Sequence, residues 1–377
     1  MVKLDRFQLY CMLLITVAPV AFLEQTREAI TFVANDAWLA FAGALLPGLI
    51  VAALYTDLLK NSRWPFPRML EEHLGKWPGK LLGLLYVPFF ILVCAYTLRV
   101  FTDFIETNVL PGTPISVFIV VLLLVSFLVL KIGLNALPRV CVAVTIIGLP
   151  FSFLIGLLAL GEQPDWGNLL PLGYMQLSHF FLATTATSAV VFKVMPVLTL
   201  GFFVSPGEKP LIFKTLFQVV ISYVLLMVLL TVATIVNLGG EAARFFSFPA
   251  FSAIRLISIG RFIQNIDIVF IGIWILGIFA VLALFWFMMA YTTQECLGLS
   301  DYRFLLAPSA LIIGVLAVQL APNIIVLEKT IREIIPASYL AFFLVIPLLT
   351  WVVMRLKRWL GRSPGPAAPA QVGSGSE

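Results

Sequence analysis

Along the chain, long apolar stretches alternate with short polar ones, and the apolar stretches are of membrane-spanning length. A hydrocarbon core about 30 Å thick takes about 20 apolar residues in a helix. Ten stretches qualify or nearly so: 7–23, 38–58, 81–101, 115–130, 140–160, 181–204, 216–236, 266–291, 304–320 and 335–353. Within each the apolar residues run on without a period of two, which predicts helices and not a barrel. The first stretch follows Lys3 and Arg6 as the core of a secretory signal would. Nine more spans come after it, so it reads as span 1.

Composition strengthens this picture. Only 11% of the 377 residues are charged and the mean hydropathy is +1.05, where a soluble domain carries about 25% charged residues. Lipid is therefore the solvent for most of the surface. The net charge of +5 is a topology signal rather than a nucleic-acid footprint. With the N-terminus inside, Lys and Arg divide 16 inside to 7 outside (Arg27, Arg99, Arg244, Arg255, Arg261, Lys329 and Arg332), with Lys193 left over within span 6. That bias supports ten spans with both termini in the cytoplasm. One membrane domain, 1–360, is expected, in halves of about 1–160 and 175–360. The Pro/Gly/Ala/Ser-rich tail 361–377 is expected to be a disordered cytoplasmic segment. In the outer stretch 237–265, Phe248-Pro249-Ala250-Phe251 ahead of Arg255 predicts a short helix lying on the outer interface.

Catalytic chemistry has no visible carrier. Cys11, Cys94, Cys141 and Cys296 stand singly in or beside apolar runs and read as buried thiols. His73 and His179 are far apart, and the nucleotide, zinc-protease and serine-hydrolase motifs are missing. No enzyme activity, metal or cofactor is expected.

Two prolines mark candidate binding machinery. Pro19 lies in span 1 and Pro196 in span 6, each removing a backbone donor and crowding the carbonyl four residues back, on Ile15 and Phe192. Five spans per half is an odd number, so the two halves are inverted and each opens with its proline-bearing helix. Interrupted helices at matching places in inverted halves point to a binding site near the bilayer midplane. Ordinary kinks are the plainer explanation, since Pro88, Pro150 and Pro347 also fall in spans. Lys193 adds weight: it lies about 17 Å from either end of span 6 at about 1.5 Å per residue, too deep to reach water, where a cation normally faces a cavity, carbonyls or a carboxylate. The carbonyl of Phe192 is one such partner. Arg99, Asp103 and Glu106 near the end of span 3 read as a structural ion pair. Glu24, Arg27 and Glu28 after span 1 read as a solvated outer face.

Short collinear motifs then point to a family. They are Asn35-Asp36-Ala37-Trp38, Pro65-Phe66-Pro67, Leu74-Gly75-Lys76-Trp77-Pro78-Gly79-Lys80, Leu98-Arg99, Asp103-Phe104-Ile105, Leu110-Pro111-Gly112-Thr113-Pro114, Asn168-Leu169-Leu170-Pro171-Leu172-Gly173, and Ile266-Asp267 with Trp274. In this order they resemble the permease-like B subunit of the GerA-type spore germinant receptors, within the amino acid–polyamine–organocation transporter superfamily. The resemblance covers all ten spans. It implies an all-α membrane protein with the LeuT-like 5+5 inverted repeat and broken helices 1 and 6. It also implies a small nutrient such as an amino acid bound centrally, partner A and C subunits, and residence in the inner membrane of the spore. By that fold the pocket maps to Ala18, Pro19, Val20 and Ala21; Phe89 and, less directly, Cys94; Lys193, Thr199, Leu200 and Gly201; and Ala280, Val281 and Phe285. The chain departs from the family in three places. It has no glycine at 18–21, a lysine and no carboxylate in span 6, and Asn265 before Ile266-Asp267 in place of arginine.

The resemblance implies a sensor whose nutrient-bound state is read by partner subunits. The alternative is a secondary transporter of amino acids or other small organic ions, because one fold serves both. The topology is testable directly: single cysteines replacing Lys76 and Arg358 should both be labelled by an impermeant thiol reagent from the cytoplasmic side only. Labelling from opposite sides would refute ten spans with both ends inside.

Overall fold

The computed structural model describes residues 3–133, 135–161, 164–173, 175–259, 263–264, 266–321, 326 and 333–360. Arg261, Asn265, Lys329, Arg332 and the tail 361–377 lie outside the described residues, so expectations about them stay as they were.

Among the described residues, eight helices are long and apolar enough to cross a membrane, two fewer than expected. The difference has two sources. Spans 1 and 2 run together as one 56-residue segment, Arg6–Asn61, joined by the 3-10 turn Ala34–Asp36, where Ala34 adopts φ 46°. Span 9, Arg303–Gln319, is apolar but shorter than the rest. The remaining spans are Lys76–Asn108 (3), Ile115–Ile132 (4), Ala136–Ala159 (5), Leu177–Leu200 (6), Lys209–Leu238 (7), Ile266–Leu297 (8) and Ile335–Trp359 (10). The only strands among the described residues are Ser258–Ile259 and Ile263–Gln264, paired antiparallel.

Burial sorts the spans. In span 6, 72% of the apolar window is buried, against 28% in each of spans 4, 5 and 10. Span 8 is buried all round from Ala280 to Ala290, as a helix without a polar face must be when it sits at the centre of a bundle. Spans 4 and 9 turn Val120, Leu124, Leu311 and Val315 outward, apolar surface suited to lipid. The four cysteines are free and buried.

Spans 1 and 6 lie antiparallel, held at both ends. At one end Leu4 N–H donates to the Phe203 carbonyl (2.8 Å) and the Leu4 carbonyl accepts from Ser205 N–H (3.1 Å). At the other, Asn35 Nδ2 donates to the Leu170 carbonyl (3.0 Å) and the Asp36 carboxylate accepts from Gly173 N–H (3.0 and 3.1 Å). The family motifs around Asn35 and Pro171 thus meet as one clasp. Span 10 ends beside span 2 and the turn before span 3, with Arg355 to Asp57 at 2.7 Å and Lys357 Nζ to the His73 carbonyl at 2.6 Å.

Three expectations need correction. Span 1 is one continuous helix, Arg6–Val33, through Pro19. Without a glycine at 18–21, no residue there leaves a helix cheaply, so proline costs a hydrogen bond and does not break the span. Because the helix runs ten residues beyond Leu23, Glu24 and Glu28 are buried inside the bundle, each 6% exposed, and do not form a solvated face. The short helix of the outer stretch exists, Pro249–Arg255, but Ala250, Phe251 and Ile254 are buried. Phe251 packs edge-on to Phe104 of span 3, with ring centroids 4.8 Å apart, so the helix is tucked in rather than laid on the interface.

The expected break in span 6 is present. The helix stops at Val191, passes through the 3-10 turn Phe192–Val194, and resumes as Val197–Leu200. Span 10 is also irregular, with a π-helical segment Leu340–Val345. Pro347 follows Phe343 by four residues and Phe342 by five, so it can supply an amide hydrogen to neither carbonyl. Tyrosines do so instead: Tyr86 Oη donates to Phe342 O (2.5 Å), and Tyr55 Oη lies between Phe343 O and Phe192 O (3.3 Å to the latter). The single Tyr55 proton therefore serves acceptors freed by Pro347 and by Pro196. Tyr55→Phe should strand the Phe343 carbonyl in an apolar interior and leave the Phe192 carbonyl with Met195 N–H alone, at a cost of about 1–3 kcal/mol, read as a lowered thermal midpoint of the purified protein. An unchanged midpoint would mean that these carbonyls do not depend on Tyr55.

Candidate functional site

The break in span 6 places Lys193 in the middle of the protein. Its side chain is 1% exposed, and its ammonium lies 5.4 Å from the ring centroids of both Phe285 on span 8 and Tyr339 on span 10. Cations over aromatic faces gain about 0.5–2 kcal/mol, less than the cost of burying the charge. Among the described residues Lys193 makes no hydrogen bond and no ion pair. The Phe192 carbonyl, expected to hold the ammonium, accepts from Met195 N–H (3.1 Å) and Tyr55 instead. A carbonyl on the adjoining residue is held by its own turn, while the lysine side chain extends away from it.

Near Lys193 are Cys94 on span 3, which the sequence marked, and Glu24 on span 1, which it did not. Glu24 Oε2 accepts from the Tyr96 hydroxyl, while Oε1 is buried without a partner, as is the hydroxyl of Tyr339. Glu24, Tyr96 and Tyr339 are the residues the sequence reading missed. One signal was available for Glu24: no glycine or proline occurs between Leu23 and Val33, so nothing ends the helix before the carboxylate. Tyr96 and Tyr339 carry no such mark.

The residues expected to line one pocket separate into groups. Phe285 and Cys94 are with Lys193, and Phe89 joins through Tyr339 at 6.4 Å between centroids while stacking on Phe342 at 4.1 Å. Ala280 and Val281 are fully buried in span 8, where Cys94 Sγ approaches the Leu282 carbonyl at 4.0 Å. Ala18 and Pro19 instead line a small apolar crevice of about 70 Å³ between spans 1, 5, 7 and 8, with Trp274 and Gly277 opposite. Trp274 Nε1 donates to the Pro19 carbonyl there (2.8 Å). Neither Lys193 nor Glu24 lines that crevice. Val20 and Ala21 are packed helix positions. Thr199, Leu200 and Gly201 belong to the end of span 6: Thr199 Oγ1 donates to the Phe66 carbonyl (3.2 Å), and Gly201 N–H closes the last turn on Val197. The separation follows from span 1, which presents side chains at 18–21 where an unwound segment would present backbone.

Arg99 and Asp103 form the expected ion pair, Nε to Oδ2 at 3.0 Å, with both side chains 6% exposed. Glu106 is exposed and apart from it. Among the described residues no group of His, Cys, Asp and Glu is placed to hold a metal.

Similarity to known proteins agrees with this architecture. Solved structures with the same fold include MhsT in complex with L-phenylalanine, at a TM-score of 0.70 and 12% identity over 96% of this chain and 90% of that one. Mhp1, a nucleobase-cation-symport-1 family transporter in a closed conformation with bromovinylhydantoin bound, gives a TM-score of 0.66 and 14% identity over 96% and 79%. These place the chain in the LeuT-like fold. Among sequence relatives, all from Bacillus subtilis (strain 168), the putative spore germination protein YfkT is 23% identical over 91% of this chain and 92% of its own length. Spore germination protein KB is 25% identical over 86% and 88%, and spore germination protein A2 is 24% identical over 79% and 82%. With the Spore germination protein family model matching residues 3–325, this chain belongs to the spore germination protein family.

Proposed function

We propose that this chain is the nutrient-sensing membrane subunit of a spore germinant receptor, which binds a small molecule such as an amino acid at its centre and thereby triggers germination. The observation that carries the reading is Lys193: a buried cation with no hydrogen bond or ion pair among the described residues, at the break of span 6, in a fold whose relatives hold small organic ligands. Leaving such a charge unpaired costs several kcal/mol, and a ligand that pairs with it recovers part of that cost. Binding then favours whichever arrangement of spans 6 and 10 completes the site, and a ligand shifts a conformational equilibrium only by such differential affinity. A and C subunits of the receptor read the shift, in the inner membrane of the spore.

Spores lacking this chain should lose the response to at least one nutrient. Lys193→Met should reproduce the loss with protein accumulation near normal, and Lys193→Arg should not restore the response, because a planar guanidinium does not replace a compact ammonium. A nutrient response unchanged in Lys193→Met would remove Lys193 from the site. The likeness to a symport-family structure favours a second reading, a secondary transporter. Accumulation of the nutrient in proteoliposomes, above empty vesicles, would decide for it.

A further inference from the structure

At the end of spans 1 and 7 that the Lys and Arg bias puts on the cytoplasmic side, the two helices are joined by two polar rungs. Arg6 Nε donates to Thr215 Oγ1 (3.1 Å) and Arg6 Nη2 to Gln218 Oε1. Four residues further along each helix, the hydroxyls of Tyr10 and Ser222 share a hydrogen bond of 2.8 Å. These rungs floor a groove of about 570 Å³, within the range of about 300–1,000 Å³ typical of small-molecule sites. Its sides are apolar. Phe7 stacks on Tyr10 with ring centroids 6.2 Å apart, Phe7 and Phe217 are 49% and 39% exposed, and Ile221 continues the wall one turn beyond Phe217. Thr215 and Gln218 are neutral, so their bonds orient the Arg6 guanidinium without cancelling its charge. The carboxylates at the rim are turned to backbone amides at the start of span 1: Asp5 accepts from Gln8 N–H (2.7 Å) and Glu208 from Arg6 N–H (2.9 Å). Lys214 is exposed and precedes Phe217, Gln218 and Ile221 by three, four and seven residues, which puts it on the helix face that lines the groove.

We propose that this groove binds one anionic glycerophospholipid of the cytoplasmic leaflet, with its phosphate on the Arg6 guanidinium and the Lys214 ammonium and an acyl chain along Phe7, Phe217 and Ile221. Basic pockets between membrane helices on the cytoplasmic side hold anionic headgroups, and a guanidinium held in place suits the planar, two-point recognition of a phosphate. A zwitterionic lipid would bring its own cation up to Arg6 and Lys214. A soluble anion would answer the charge and leave the exposed rings of Phe7 and Phe217 uncovered. An anionic lipid satisfies both ends of the groove at once. It also bridges spans 1 and 7 two residues from Leu4, whose backbone bonds to Phe203 and Ser205 tie span 1 to the end of span 6, so its binding steadies that junction.

The test is lipid-induced thermal stabilisation of the purified full-length chain in a nonionic detergent. The probes are phosphatidylglycerol, phosphatidylcholine with the same acyl chains, and glycerol phosphate as a headgroup without chains. Phosphatidylglycerol should raise the melting temperature of the wild type, and the other two should do so far less at the same concentration. Lys214→Gln, at an exposed position, should weaken the response to phosphatidylglycerol about 5-fold, as for loss of one basic residue near an anionic headgroup. Lys131→Gln, an exposed charge at the same side of the membrane on span 4, should leave it unchanged. Ile221→Trp, which fills the groove and changes no charge, should abolish it. Equal stabilisation of the wild type by the two lipids would overturn the proposal, and so would equal weakening by Lys214→Gln and Lys131→Gln, the mark of general surface charge. A full response in Ile221→Trp would place the lipid elsewhere, and a full response to glycerol phosphate would make the ligand a free phosphate; either overturns it. Should Ile221→Trp not fold, the comparison of Lys214→Gln with Lys131→Gln decides alone.

Discussion

In hydrocarbon, every backbone carbonyl and amide has to find a partner inside the protein, and that constraint shapes the centre of this molecule. Pro196 and Pro347 each withdraw an amide hydrogen from helices that cannot turn to water. The orphaned carbonyls of Phe192, Phe342 and Phe343 are answered from other spans, by Tyr55 on span 2 and Tyr86 on span 3. Tyr55 is the joint between them, since its one proton faces both the interrupted span 6 and the π-helical stretch of span 10. Regular helices need nothing of each other's backbones. These two depend on side chains of their neighbours, and a change in either is felt by the other through the same hydroxyl. Pro19 has a different outcome: its helix continues from Arg6 to Val33, and the Trp274 indole of span 8 donates to the carbonyl of Pro19 itself.

A second consequence is the uneven treatment of buried charge. Arg99 and Asp103 are four residues apart on one helix and pair directly, so the low dielectric works in their favour. Glu24 and Lys193 sit on different spans whose ends are tied to one another, and they stay apart. The first pair holds span 3 together. The second lies where spans 1, 3, 6, 8 and 10 converge.

Family motifs that look unrelated along the chain turn out to be joints between spans. Asn35 and Asp36 grip the segment Leu170–Gly173. Phe66 takes the Leu198 carbonyl through its amide and receives the Thr199 hydroxyl, which anchors the short helix after the break in span 6. Arg255, from the tucked-in outer helix, reaches Asp267 at the start of span 8 (3.3 Å) and the carbonyl of Asn108 at the end of span 3 (2.7 Å). These contacts tie the ends of spans 1, 3, 6 and 8 to their neighbours.

Much of this was legible in the sequence, because hydropathy and proline act locally. The apolar runs marked the spans, though spans 1 and 3 run well past theirs, the collinear motifs pointed to the family and its fold, and Pro196 with Lys193 marked the break in span 6. Other features depended on distance in the chain. Whether Pro19 would interrupt its helix turned on the absence of glycine nearby and on how span 1 packs, which hydropathy does not show. Glu24 read as a surface residue because its neighbours Arg27 and Glu28 are charged, and only the packing of span 1 against spans 3 and 6 shows that it is enclosed. Tyr55, Tyr96 and Tyr339 are ordinary tyrosines until their hydroxyls meet a carbonyl, a carboxylate or no partner. Sequence determined which segments enter the membrane and where their helices are weak. Tertiary structure decided which weaknesses became breaks and which charges were left facing one another, because both depend on partners that only packing brings within reach.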